Sequence, residues 1–511
     1  METSRSGRRL PTAITLVTTH RADRMQCHVS VHWLPDVNPR MHSVGSLFAR
    51  VRKHAFEPVD IASLVFFRIA FGLLLAWDVW QQFSHHWIRL FWIEPRFLFK
   101  YYGFSWVHPW PGNGLYVHWA ILGLLACFIA AGFLYRLSTA LFFLGFTYTF
   151  LLDEAEYLNH NYLICLFSFL LIFVPANRAF SIDAWLNPNL RSQQAPAWAL
   201  WLLRFQMGVV YFFAGLAKIS PDWFGGELMR SRLAGNTGFP ILGRFFREEW
   251  AVYTMSYAAL FFDLLIVPLL LWRRTRLAAF CLAVMFHLLN ARLFVIGVFP
   301  WLAIAATTLF LSPSWPRRVL SVLQRKNAVF SANGFQPPPP AKQRAILILG
   351  AIYMAIQLLV PLRHFLYRGG IEWTLAEHRF TWRMLLVSQR MVAYFYVTDP
   401  NSGRTLQVPP RAFLTQRQAD RMAWRPDMVL QFAHYLAETI PCSGPIPLRV
   451  EARALVSLNG RKAQLFINPN VDLAAEERTF GRPHWLLEIH EPLPPPGDKA
   501  PHNPGSLPGA N

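Results

Sequence analysis

The chain has 511 residues, of which 54% are hydrophobic, 15% aromatic and 15% charged. This balance excludes an intrinsically disordered protein and fits a soluble globular protein poorly. Five cysteines are too few for a small scaffold held by disulfides. The formal net charge of +20 would suit nucleic acid. However, the basic residues lie in short turns between apolar blocks, without a basic stripe interleaved with aromatic residues, so no nucleic-acid partner is expected.

The first segment, residues 1–56, is basic and weakly patterned, which predicts a disordered N-terminal arm. The apolar residues that follow come in blocks of about twenty, the length that a helix needs to cross a bilayer. These blocks predict a bundle of about nine transmembrane helices over residues 57–363. They are Ile61–Trp80, Tyr116–Leu134, Ser138–Leu152, Asn161–Pro175, Ala197–Ala217, Ala251–Trp272, Leu277–Asn290, Val295–Leu311 and Ala345–Pro361. A barrel would need alternating apolar and polar residues, which the blocks lack.

The loops between the blocks predict the orientation. Basic residues such as Arg50, Lys53, Arg136 and Arg273 lie in loops that all fall on one side, which is therefore cytoplasmic. The loop at 230–247 is a basic exception on the other side, but it is long, and long loops weigh less in the rule. With nine spans, the C-terminal region lies outside the cytoplasm, in the periplasm or a secretory lumen.

Residues 364–492 predict an extracytoplasmic, β-containing domain. Ala452–Leu458 and Lys462–Ile467 flank Asn459-Gly460, the pair that a type I′ turn of a β-hairpin prefers. Residues 493–511 are rich in Pro, Gly and Asn and predict a disordered tail. The predicted fold class is thus an all-α polytopic membrane bundle with an extracytoplasmic β-containing C-terminal domain.

Polar residues inside apolar blocks are functional candidates because burying them in lipid is costly. Lys218 ends such a block, and it is either a lysine that reaches the interface or one withdrawn from water, where the uncharged amine becomes available as a base. His160, beside Asn159, is either an interfacial histidine or a ligand-binding one. His287, with Asn290 one turn later, makes either a structural bond between helices or a site.

Topology favours the functional interpretation, because His160, Lys218 and His287 all fall at the outer ends of their spans. Three costly polar groups at one depth predict a site roofed by the extracytoplasmic domain and open sideways to lipid. Arg68, Arg204 and Asp263 lie deeper, and charge-paired packing is favoured for them. Neither His-Glu-x-x-His nor Cys-x-x-Cys occurs, so no metal is predicted.

The sequence at these positions resembles the vitamin K-dependent γ-glutamyl carboxylase family, the carboxylase branch of the horizontally transferred transmembrane domain proteins. The resemblance covers about residues 57–490, in order. Its segments are Phe67–Gly72, Phe150–Asp153, Asn159–Leu163, Tyr211–Trp223, Phe286–Asn290, Ser312–Pro316, Trp373–Met384, Val456–Gly460 and Asp472–Ala474. Each segment is weak alone, but together they are specific.

The resemblance implies an enzyme that oxidises vitamin K hydroquinone, such as reduced menaquinone or phylloquinone, with O2 to the epoxide. Coupled to this, CO2 is added at the γ-carbon of glutamate in a peptide or protein substrate. It implies that Lys218 is the base that deprotonates the hydroquinone and that His160 assists catalysis. Asn159, His287 and Tyr211 would bind the quinol.

The resemblance also implies that Trp373, His378 and Arg379 handle the glutamate substrate. The γ-carbon proton is too weakly acidic for any side chain to remove, whereas oxygen addition to a quinol yields a much stronger base. The protein then needs only a mild base to start, hydrogen-bond donors for developing oxyanions, and exclusion of water.

Two alternatives remain open. The chain could oxidise or epoxidise a membrane quinol without a protein glutamate substrate, since an Arg beside a His grips other carboxylates as well. It could also be a non-enzymatic membrane carrier with the same fold, because a fold does not fix a function.

Overall fold

The computed structural model describes residues 44–294, 296–324, 335–366, 373, 378–479 and 482–493. The chain divides into two compact units, residues 1–55 and 56–511. The described part of the first unit is helix α1, Val44–Ala55. This helix lies within the arm for which the sequence predicts disorder, at a point where apolar residues recur at helical spacing. The remaining arm, 1–43, and the tail, 494–511, lie outside the described residues.

The second unit begins with a long series of helices that matches the predicted blocks. In chain order they are α2 (Ala62–Ser84), α3 (Gly114–Ala131), α4 (Tyr135–Leu152), α5 (Asn159–Phe173), α6 (Ile182–Leu186), α7 (Ala197–Leu216), α8 (Pro221–Phe224), α9 (Glu227–Ala234), α10 (Glu249–Leu271), α11 (Arg276–Leu293), α12 (Phe299–Thr307), α13 (Trp315–Gln324) and α14 (Pro340–Leu362). Two short antiparallel strands, β1 (Pro58–Asp60) and β2 (Gln194–Pro196), pair just before α2 and α7.

Within the described residues, seven helices are long and apolar enough to cross a membrane: α2, α3, α4, α7, α10, α11 and α14. The predicted membrane bundle is therefore confirmed. The other two predicted spans are also apolar helices but are shorter, Asn159–Phe173 and Phe299–Phe310. Pro175 follows the first and Pro313 the second, and proline cannot continue a helix.

Helices α7 and α10 pack closely because Gly215 has no side chain. A Cβ at this position would lie 2.7 Å from Leu264 Cδ2 and 3.1 Å from the Leu264 backbone nitrogen. Both distances are shorter than ordinary van der Waals contact. Gly215 lies three residues before Lys218, and Leu264 follows Asp263, so this contact sets the spacing of those two charged residues.

The C-terminal part of the second unit contains a four-stranded antiparallel sheet in the order β4-β3-β5-β6, which confirms the predicted β-containing domain. The strands are β3 (Gln389–Asp399), β4 (Arg404–Val408), β5 (Arg449–Leu458) and β6 (Gln464–Leu465). Two helices, Gln416–Met422 and Pro426–Thr439, pack on it. The ring of Phe395 meets that of Phe432 edge-on, with centroids 4.9 Å apart.

The predicted turn at Asn459-Gly460 forms with positive φ at both residues, 49° and 81°. The Arg461 backbone nitrogen donates to the Leu458 carbonyl at 3.0 Å, as in a type I′ turn. The strand pair nearest the turn is Val456 with Gln464. Regular pairing of the two strands therefore begins further from the turn than it does in a two-residue β-hairpin.

This turn docks the domain on the helical bundle. Arg461 binds both carboxylate oxygens of Asp222 on α8 at 2.7 Å, and Asn459 Nδ2 donates to Asp222 Oδ2 at 2.6 Å. A second contact lies at the end of α4, where Arg417 binds both carboxylate oxygens of Glu156, the shorter bonds being 2.7 Å. Two charged, bidentate contacts therefore hold the domain against these parts of the helical bundle.

Candidate active site

Lys218 lies two residues beyond the end of α7, and its amine is buried against α10. Nζ donates to Asp263 Oδ2 at 2.6 Å and to the Ala214 carbonyl at 3.1 Å. Both charged side chains are only 8% exposed. The Trp223 ring lies 5.2 Å from Nζ, a cation–π distance. The amine is withdrawn from water, as one of the two sequence interpretations expects, but it is ion-paired.

The partner of Lys218 is a residue whose role the sequence analysis missed. This residue is Asp263, for which the sequence favours charge-paired packing, as it does for Arg68 and Arg204. Arg68 instead binds the carbonyls of Ala176 and Phe180, and Arg204 those of Leu309 and Leu311. Asp263 does pair with a charge, yet that charge is the candidate base. The signal was available in principle, because a lysine buried in an apolar block requires an acidic partner.

Tyr211, on the same face of α7 two turns before Lys218, connects to His287 on α11. The Tyr211 hydroxyl lies 2.8 Å from His287 Nε2 and 3.1 Å from Thr307 Oγ1. Thr307 donates its own hydrogen to the Ala303 carbonyl at 2.7 Å. In that arrangement Tyr211 donates to Thr307 and accepts from His287 Nε2–H. Thr307 is thus a second contributor that the sequence analysis did not identify.

The other ring nitrogen of His287 is left as an acceptor. Nδ1 is buried and has no hydrogen-bond partner within the described part of the chain. Aromatic rings surround the imidazole: Phe262, Phe286 and Phe299 have centroids 6.0, 5.4 and 6.0 Å away. A buried nitrogen lone pair among aromatic rings is costly to leave unpaired and is suited to receiving a ligand hydroxyl.

Asn159 and His160 begin α5, next to the C-terminal domain. Asn159 Oδ1 accepts from the Tyr157 hydroxyl at 3.0 Å, and Asn159 Nδ2 donates to the Arg383 carbonyl at 3.3 Å. His160 faces Gly297, where an added Cβ would lie 3.4 Å from Nε2. Gly297 precedes Phe299, which contacts His287. The two imidazoles therefore flank the segment that joins α11 to α12.

The three residues implied to handle glutamate have different positions. Arg379 forms an ion pair with Glu154, a buried residue just after α4. The His378 ring lies 6.1 Å from that of Tyr157. Trp373 is 3% exposed within the core of the C-terminal domain, where its indole nitrogen donates to the Leu487 carbonyl at 2.9 Å. No contact among the described residues brings Trp373 to the Arg379 group.

One edge of the Arg379 guanidinium makes no hydrogen bond within the described part of the chain. Its Nη1 faces Glu154, whereas its buried Nε and Nη2 have no hydrogen-bond partner among the residues that the structure describes. These two nitrogens form the side of a guanidinium that binds a carboxylate with two parallel bonds. Burial raises the pKa of Glu154 to about 8, although the charge of Arg379 opposes this. When Glu154 is protonated, Asp427, whose Oδ2 lies 3.8 Å from Arg379 Nη1, is the carboxylate that remains charged beside Arg379.

Comparison with protein families agrees with this geometry. Residues 56–315 match the family model described as the HTTM domain, which defines the class of the helical bundle. Residues 342–492 match the model described as the vitamin K-dependent gamma-carboxylase lumenal domain. The chain belongs to the vitamin K-dependent γ-carboxylase family, as its sequence resemblance indicated. No solved structure matches the chain.

The residues present fit a reduced quinone of the vitamin K type, the co-substrate that the family uses. Such a molecule has a flat apolar ring with two hydroxyl groups. His287 Nδ1 is a buried acceptor for a hydroxyl, and the stacked rings of Phe262 and Phe286, 3.8 Å apart, continue an apolar wall beside it. Lys218 and Asp263 supply the charge that a proton transfer requires.

Proposed function

We propose that the protein is an integral-membrane γ-glutamyl carboxylase that couples oxidation of vitamin K hydroquinone by O2 to addition of CO2 at peptidyl glutamate. The observation that carries the proposal is the buried Lys218–Asp263 pair beside the Tyr211–His287 bond. Asp263 directly follows Phe262, whose ring lies 5.8 Å from that of Tyr211 and 6.0 Å from that of His287. The reduced quinone, once oxygenated, supplies the strong base that removes the γ-carbon proton. The side chains of the protein would bind and orient the substrates and transfer the first proton.

Lys218 is proposed as the group that takes a proton from a quinol hydroxyl. His160, at the beginning of α5, is proposed to assist this step. Tyr211 and Thr307 fix the orientation of His287, and Asn159 is held by Tyr157 at the entrance of α5. The exposed fraction of Lys218 is small, so water is largely excluded from its amine. Exclusion of water strengthens the electrostatic interactions and protects a strong base from quenching.

Arg379 is proposed to bind the carboxylate of the substrate glutamate through its free Nε and Nη2 edge, beside His378. The peptide would approach from the C-terminal domain, which the family name describes as lumenal. Site and domain are accordingly proposed to lie on the extracytoplasmic side. Tyr157 links this region to the quinol region, since its hydroxyl accepts from the Phe380 nitrogen at 2.7 Å and donates to Asn159.

The test uses the purified full-length protein with reduced vitamin K, O2, labelled bicarbonate and a glutamyl peptide, and measures label in the peptide and epoxide in the same reaction. The proposal predicts both products. Epoxide without labelled peptide would instead favour a quinol epoxidase without a protein substrate. Quinol binding without either product would favour a non-enzymatic carrier.

Arg379→Gln sharpens the test because it separates the two half-reactions. It is expected to raise the KM for the peptide while leaving the affinity for the quinol unchanged. Arg404→Gln, an exposed arginine in the same domain, is the matched control and should leave both unchanged. A peptide KM unaffected by Arg379→Gln would remove Arg379 from the proposed substrate site.

A further inference from the structure

The Lys218–Asp263 pair has a consequence for proton transfer. An amine that already holds three hydrogens and donates to a carboxylate cannot accept a fourth. Nζ donates to Asp263 Oδ2 at 2.6 Å, which is the geometry of an ammonium with its counter-ion. In the pair as it stands, the only site able to take a further proton is the Asp263 carboxylate.

We infer that Lys218 and Asp263 act as one proton-accepting unit, with Asp263 as the positioning residue that receives the proton Lys218 passes on. This inference rests on the proposed function. Transfer across the Nζ–Oδ2 contact breaks an N–H bond, forms an O–H bond on Asp263 and leaves an amine. The amine then takes the quinol hydroxyl proton, and the electron pair stays on the quinol oxygen.

The net charge of the site favours proton transfer from Lys218 to Asp263. Before the step the pair is net neutral, and afterwards an ammonium and a carboxylic acid carry +1 together. That charge balances the negative charge left on the quinol oxygen, and burial of both side chains makes such balance important. A lone lysine would reach the same charge only after first losing its proton to solvent, from which it is largely shielded.

Other titratable groups lie on the elements around the pair, and most of their polar atoms have partners of their own. The exception is His287 Nδ1, which is buried without a hydrogen-bond partner among the described residues. Tyr211 on α7 and His287 on α11 bond to each other. Asp222 on α8 is bound by Arg461. Arg230 on α9 binds Glu227, and Glu249 at the start of α10. Asp263 is the titratable group in direct contact with Lys218 and is therefore the residue to substitute in the test.

The test is the pH dependence of quinol epoxidation in Asp263→Asn, which keeps the shape and removes the proton site. If the pair is the acceptor, activity in the wild type is lost at low pH as the carboxylate becomes protonated. The acid limb of the pH–rate profile is the low-pH range over which activity is lost. In Asp263→Asn the position of this acid limb must depend on deprotonation of the Lys218 amine alone. Since amines release protons at higher pH than carboxylates, the acid limb is expected to move up by about 2 pH units or more.

The opposite shift would overturn the inference. If Lys218 acted alone as an amine in the wild type, removing its negative neighbour would make the amine easier to deprotonate and move the limb to lower pH. A uniform loss of rate with an unmoved limb would indicate a structural role only. Asp263→Glu restores a carboxylate and is expected to return the limb to its wild-type position.

A second measurement does not depend on turnover. Adding the reduced quinol without O2 is expected to produce the infrared carbonyl band of a protonated carboxylic acid in the wild type and none in Asp263→Asn. Absence of the band in wild-type protein that binds the quinol would overturn the inference. Wild-type protein that shows the band yet forms no epoxide or carboxylated peptide would instead contradict the proposed function.

Discussion

Arg461, in the turn after β5, holds Asp222 with two bonds of 2.7 Å, and both side chains are nearly buried, at 12% and 8% exposed. Asp222 lies four residues after Lys218 and next to Trp223, whose ring faces the Lys218 amine. One ion pair therefore joins the C-terminal domain to the segment that carries the candidate base.

Asp222→Ala is expected to lower stability by about 3 kcal/mol, because it leaves the Arg461 charge buried without its partner. The measurement is thermal unfolding in detergent, with epoxidation followed in parallel. Asp222→Ala combined with Arg461→Leu is expected to be more stable than Asp222→Ala alone. Strict additivity of the two single effects would show that the pair is not coupled.

Tyr211→Phe tests the positioning of His287. Loss of the hydroxyl leaves His287 Nε2 and Thr307 without their shared hydrogen-bond partner. The free energy that holds the imidazole in its orientation then falls by about 1–3 kcal/mol. Quinol epoxidation is expected to fall by about tenfold or more. Tyr353→Phe is the matched control. The hydroxyl of Tyr353, on α14, donates to Oε1 of Gln206 at 2.6 Å, and Gln206 lies on a different part of α7 from Tyr211. Equal losses in both variants would count against a specific role for Tyr211.

The affinity for the glutamyl peptide is expected to depend on the protonation of Glu154. Burial raises the pKa of Glu154, so at lower pH Glu154 is protonated and does not compete with the substrate carboxylate for Arg379. As the pH rises, the ionised Glu154 competes for Arg379, so the peptide KM should increase. Glu154→Gln imitates the protonated state and should flatten the dependence. A KM that rises equally in Glu154→Gln would assign the effect to another group.

Gly215→Ala tests the spacing of α7 and α10. The new Cβ would contact Leu264 at 2.7 Å, so the helices must separate or Leu264 must move, at a cost of about 1–3 kcal/mol. Widening the Lys218–Asp263 contact should also reduce epoxidation. Adding Leu264→Ala should restore part of the activity. Gly350→Ala, where nothing lies within 4 Å of the new atom, is expected to be neutral.

Local rules predicted much of the fold. Apolar block length located the helices, and Asn459-Gly460 located a turn, because both depend on residues adjacent in sequence. The two short helices were harder, since block length does not reveal where packing and proline end a helix. In the N-terminal arm, the many basic residues obscure the helical spacing of the apolar residues that form α1.

The contacts made by the candidate site residues could not be predicted from the sequence. Lys218 and His287 stood out because ionisable groups in apolar blocks are costly. The pairing of Lys218 with Asp263, 45 residues further along, depends on how α7 meets α10 through Gly215. For Trp373, the family resemblance assigns the residue to a substrate-binding segment but does not determine where its ring points. In the structure the ring lies in the core of the C-terminal domain.

The central claim is that the buried amine of Lys218 starts the reaction. The most direct measurement is epoxide and labelled peptide formed by Lys218→Ala beside Lys342→Ala, an exposed lysine on α14. We predict that Lys218→Ala still binds quinol but forms neither product above background, while Lys342→Ala forms both at the wild-type rate. Epoxide formation by Lys218→Ala at the wild-type rate would contradict the account.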